Sequence, residues 1–138
     1  MTAEEAIKKA ACGDANAEQF LFVLWRFAHT IDDLYDDPAR NPLVAGNLTA
    51  ALIIWTETVA ANPFFQAYRD MLLGALRVAL LQWASSEDFA ARGGVRDKVI
   101  SGVIKSGYQD LVFLVASITG GPLHAIELQK EFRDYDFD

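Results

Sequence analysis

Cysteine is almost missing from this chain, and so are proline, clustered positive charge and long apolar runs. One cysteine, Cys12, among 138 residues excludes an internal disulfide and leaves the fold to its apolar core. The four prolines, Pro38, Pro42, Pro63 and Pro122, all fall at the ends of expected helices. Twelve basic residues against nineteen acidic ones give a net charge of −7, which argues against a nucleic-acid partner because phosphate contacts need grouped Lys and Arg. No apolar run reaches the roughly 18 residues of a membrane span, and the opening MTAEEAIKKAACGD is too polar for a signal sequence. The expected location is the cytoplasm, with no membrane partner.

What is present is a foldable composition. Hydrophobic residues make up 52% and charged residues 22%, and 138 residues suit a single domain, 1–138, able to bury its own core. Thr2 followed by Glu5 fits a capping box for a short, minor helix over Ala3 to Ala11 that ends at Gly13. Asp14 or Asn16 then caps a long helix, about Ala17 to Asp36. The pairs Asn41-Pro42 and Asn62-Pro63 each read as an N-cap followed by proline at the first helical position, which starts helices running to Ala61 and to about Ser85.

Ser86 to Gly94, with its glycine pair, reads as the longest loop, and a fourth long helix is expected over Val95 to Thr119. Gly120-Gly121-Pro122 stops it, and Leu123 to Phe132 forms a last short helix. The expected fold is all-α: an antiparallel up-and-down bundle of four long helices with short flanking helices at both termini.

The chemically pointed stretch is Phe20 to Asp37. At 100° per residue, Phe20, Leu24, Phe27, Ile31, Leu34 and Tyr35 share one face, while His29, Asp33 and Asp36 share the opposite one. Asp32, Asp33, Asp36 and Asp37 crowd the negative end of the helix macrodipole, at a cost of about 0.3–1 kcal/mol each when exposed. A divalent cation held by Asp32, Asp33 and Asp36 would offset that cost, and His29 would join if the metal were Mn, Fe or Zn. Solvated carboxylates with a His29–Asp33 pair along the helix are the plainer reading.

The five residues DDLYD resemble the aspartate-rich motif of isoprenoid synthases. The resemblance implies carboxylates that bind diphosphate through Mg²⁺ at this helix end. It covers no more of the chain, and no second aspartate motif accompanies it.

Helix rise in an antiparallel bundle places Arg77, Lys98 and Lys105 within about a turn of the level of Asp33. These cations serve either as a neutralising network or, in an enzyme, as phosphate-binding groups. Gly46 and Gly102 fall in the same layer and read as packing positions. Glu57 is the one charge between Asn41 and Asn62, so a buried ion pair with Arg26 is expected for it. His124, remote from the acids, reads as structural.

Two functions of different class follow. The first is a non-catalytic helical interaction and self-assembly module, a homo-oligomer or protein-partner binder with an acidic, cation-accepting patch, since apolar residues wrap several helices on more than one side. The alternative is a small Mg-dependent enzyme acting on a phosphorylated or diphosphate substrate.

Overall fold

The computed structural model describes residues 1–36, 44–97 and 107–133, with the side chains of 31–36, 44, 45, 47 and 133 outside that description. All regular structure among the described residues is helical. The helices are α1 (Ala3–Ala11), α2 (Ala15–Asp36), α3 (Val44–Ile54), a π-helical turn (Trp55–Val59), α4 (Pro63–Ala67), α5 (Arg69–Arg92), α6 (Gly107–Gly120) and α7 (Pro122–Arg133). Internal contacts group them into two compact units, Met1–Gly13 with Arg69–Asp138, and Asp14–Tyr68.

The first unit is built on α1, which the sequence reading treated as a minor element. The expected capping box forms: the Glu5 amide donates to Thr2 Oγ1 at 3.2 Å and the Thr2 amide donates to Glu5 Oε2 at 3.1 Å. Glu4 and Glu5 in the first turn and Lys8 and Lys9 in the last both suit the macrodipole. Cys12 adopts the left-handed conformation that ends the helix. Ala6, Ile7, Ala10 and Ala11 are all buried, and three of these four side chains are alanines, so α6 packs close against α1. Burial of that stripe makes α1 part of the core.

Helix α6 buries Leu111, Val112, Phe113, Val115 and Ala116, and α7 buries Ala125, Leu128 and Phe132 at helical spacing. Phe113 and Phe132 meet edge-on at 6.1 Å. Three polar contacts fasten the end of α1. Thr119 Oγ1 donates to the Ala10 carbonyl, His124 Nε2 lies 2.7 Å from the Lys9 carbonyl, and Lys9 Nζ lies 2.7 Å from Glu131. The first two engage carbonyls of the last turn of α1; that of Lys9 also accepts the Cys12 amide at 3.2 Å. His124 is therefore structural in position, as expected.

Helix α5 runs through the segment expected to be a loop. Ser86 is buried and its hydroxyl donates to the Trp83 carbonyl at 2.7 Å. Asp88 pairs with Arg92 at 3.4 Å, and the Arg92 guanidinium sits 4.5 Å above the Phe89 ring, so polar-looking sequence gains helical support one turn apart. The helix stops at Arg92, and Gly93 follows with a φ of 78°. The expected close approach at Gly46 is also corrected, because a Cβ there would meet nothing within 4 Å. Gly107 is where two helices approach closely instead: its Cβ would lie 3.1 Å from Ala79 Cα of α5. Gly102 lies outside the described residues, as do residues 98–106 of the helix expected over Val95 to Thr119, while 95–97 and 107–119 are helical.

The second unit centres on Phe20. Its ring lies 6.2 Å from Phe64 and 5.8 Å from Phe65 of α4, amid buried Ala17, Leu21, Leu24 and Val59. Asp14 caps α2, its Oδ1 accepting from the Asn16 amide at 2.9 Å and the Ala17 amide at 3.1 Å. The Asn62-Pro63 start is present as well, but the helix it opens ends after five residues. Tyr68 leaves helical backbone at φ −120° and ψ 25°, and α5 begins afresh at Arg69. No glycine or proline marks this break: Phe64 and Phe65 serve the core of one compact unit and Leu72 and Leu76 that of the other.

Candidate functional site

Helix α2 carries the residues singled out for chemistry. The described part of its apolar face is as expected, with Phe20 and Leu24 buried and Phe27 half-buried against Trp55 at 5.4 Å between rings, while the side chains of Ile31, Leu34 and Tyr35 lie outside the described residues. On the other side His29 is exposed. Its ring packs on Trp25 at 4.6 Å, and its Nδ1 lies 3.1 Å from the Trp25 carbonyl, which leaves Nε2 toward solvent. The α2 backbone stays helical through Asp36, so Asp32, Asp33 and Asp36 occupy its last turns, a segment with no basic residue to balance them. The side chains of these three aspartates lie outside the described residues. Among the described residues, no three of His, Cys, Asp and Glu gather to hold a metal ion.

Of the three expected phosphate-binding cations, Arg77 is exposed on α5 in the other compact unit, while Lys98 and Lys105 lie outside the described residues. Glu57 corrects an expectation. It stands exposed in the π-helical turn, and no ion pair joins it to Arg26. Its carboxylate keeps its hydration, so neither the desolvation nor the partner argued from an apolar sequence context applies. Tyr108 is different: burial pushes its phenol above the ordinary tyrosine range, so it stays protonated at neutral pH and offers no base there.

Two concavities lie on α2 and share Val23 and Arg26. One is a wide surface groove of about 600 Å³ lined by Ala15 to Arg26 along a single helix. The other is a cleft of about 190 Å³ where α2 faces α3, with Val23, Phe27, Ala50, Ala51 and Ile54 as apolar walls and Arg26 and Thr30 as polar groups. The cleft exists because two consecutive alanines of α3 stand opposite the larger Val23 and Phe27. Sequence reasoning missed it: Ala50-Ala51 looks like ordinary helix filler, and only the pairing of α2 with α3 makes it a gap.

Comparison with family models, with curated proteins and with solved structures gave no match to this chain. No described helix is long and apolar enough to cross a membrane.

Proposed function

We propose that the chain works as a non-catalytic helical interaction module that assembles with further copies of itself. The observation that carries this reading is the surface of α5. Met71, Leu73, Val78, Leu80 and Leu81 are all exposed there, Leu80 by 58% and Leu81 by 62%. Leu52, Ile53 and Ile54 at the end of α3 are exposed as well. Single exposed apolar residues are ordinary, but runs of them on two helices are the composition of surfaces that end at a partner. The proposed partner is protein rather than nucleic acid or membrane, the proposed location is the cytoplasm, and the proposed arrangement of the whole chain is the antiparallel four-helix bundle.

Sedimentation at micromolar concentration is expected to give a particle heavier than the 15.2 kDa chain. Changing Leu80 and Leu81 together to glutamate is expected to return it to monomer with the helical fold retained, since neither side chain is buried, and to lower the melting temperature only by what association supplies. A wild-type chain that sediments strictly as monomer would overturn the reading.

The end of α2 supports a second reading, a small Mg-dependent enzyme for phosphorylated or diphosphate substrates. A helical backbone through Asp36 keeps Asp32 and Asp36 one turn apart at the negative end of the macrodipole, without a cation in that turn. A specific Mg²⁺ or Mn²⁺ site held by these aspartates would raise stability by about 2.7 kcal/mol at a hundredfold excess over Kd. Asp33→Asn with Asp36→Asn is expected to abolish that gain, and a melt indifferent to millimolar metal sinks this reading.

A further inference from the structure

The α2–α3 cleft has a composition that specifies a ligand better than either proposed function does. Five of its seven lining residues are apolar, and Arg26 is its one charged group. Thr30 is already committed, its Oγ1 donating to the Arg26 carbonyl at 3.0 Å, which leaves that hydroxyl only accepting capacity. Arg26 offers donors and no acceptor, and among the described residues it makes no ion pair. A ligand that satisfies both parts needs an acceptor-only, anionic head and an apolar body. A guanidinium fork matches a carboxylate with two parallel hydrogen bonds.

Volume limits the body. A cavity of about 150 Å³ accepts benzene, so about 190 Å³ takes a chain or ring of roughly six to eight carbons. We propose that this cleft binds a small organic monocarboxylate of that size, with its carboxylate on Arg26 and its hydrocarbon between Val23, Phe27 and the Ala50-Ala51 pair. The overall charge of −7 opposes any anion at long range, but screening beyond about 10 Å at ordinary salt leaves the local contact to decide.

The test is a two-dimensional NMR titration of the full chain with octanoate, octanol and octylamine, each kept below its micelle-forming concentration, at about 0.15 M salt. Octanoate is expected to give saturable shifts at Val23, Thr30, Ala50, Ala51 and Ile54. Octanol should bind about tenfold more weakly, the loss of one charge-assisted contact, and octylamine more weakly still. Arg26→Gln, at an exposed position that preserves the fold, should bring octanoate down to the octanol level and leave octanol unchanged. Ala51→Leu should fill the gap and remove binding of both. Equal binding of acid and alcohol, octanoate binding indifferent to Arg26→Gln, shifts scattered away from the cleft, or no saturable shift at all would each overturn the proposal.

Discussion

Phe20→Ala is expected to be the most destabilising single change on α2, costing about 3–5 kcal/mol. Against the total of about 5–15 kcal/mol that holds a domain of this size, such a loss leaves little in reserve. Phe20 is fully buried, and both of its aromatic neighbours come from α4 across more than forty residues of chain. Removing the ring deletes the transfer energy of the side chain. It also leaves a void lined by Phe64, Phe65 and Leu24 that a five-residue helix held by one cap cannot close without losing that cap.

Thermal melts followed by circular dichroism should fall by about 10–20 °C. Phe20→Leu, which keeps most of the volume, should cost under about 1.5 kcal/mol. Amide exchange locates the damage. Protection should drop first within Asp14–Tyr68, where Phe20 resides, while the α1, α6 and α7 amides stay protected. Uniform loss of protection over both compact units would show that Phe20 supports more than the unit its contacts define.

What the sequence made legible depended on how local the deciding interaction was. The Thr2–Glu5 box, the Asp14 cap and the Asn62-Pro63 start are each written within four residues, and each is present. The apolar face of α2 was legible for the same reason, because helical period alone puts Phe20, Leu24 and Phe27 together. The break at Tyr68 was not. It reflects the division of apolar residues between two compact units, and Ala67-Tyr68-Arg69 has no residue that disfavours helix strongly. The Ser86–Gly94 segment misled in the opposite direction, since its glycine pair read as a loop reaching back to Ser86, whereas Ser86 bonds back to Trp83 and Arg92 settles on Phe89 within the helix.

Glu57 and α1 show one further limit. An isolated charge in an apolar stretch was read as buried, yet it faces solvent where the backbone widens into a π-helical turn. A short alanine-rich helix was read as minor, yet its alanines are buried against α6. Of the candidate metal ligands the sequence placed His29 correctly on the open face of α2. Asp32, Asp33 and Asp36 follow it on helical backbone, with their side chains outside the described residues.

Asn62 carries the other large effect, and it comes from hydrogen bonds rather than volume. The residue is 3% exposed, and both ends of its amide are used. Oδ1 accepts from the Phe64 amide at 2.9 Å and the Phe65 amide at 3.1 Å, while Nδ2 donates to the Asn16 carbonyl at 2.9 Å. One side chain thus caps α4 and ties it to the first turn of α2. Asn62→Ala removes the cap, worth about 1 kcal/mol, and strands buried backbone groups at a further cost of about 1–3 kcal/mol. The expected loss is about 2–4 kcal/mol in a denaturant melt with an unchanged slope.

Asn62→Asp separates the two ends. It keeps the oxygen that caps α4 and adds the charge that a helix N-terminus favours, but it sets a desolvated carboxylate against the Asn16 carbonyl. Burial and the facing oxygen raise the pKa of that carboxyl, the two capping amides and the helix N-terminus lower it, and the first pair is expected to be the larger. With the folded pKa raised, the protonated form is favoured in the native state, so the deficit is full at neutral pH and shrinks as pH falls through the folded pKa. Once protonated, the acid donates to Asn16 as the amide did. Asn62→Asp should therefore approach wild-type stability on acidification while Asn62→Ala keeps its deficit. If Asn62→Asp instead keeps wild-type stability at every pH while Asn62→Ala is destabilised, the contact to Asn16 contributes nothing and the cap is the whole of the effect.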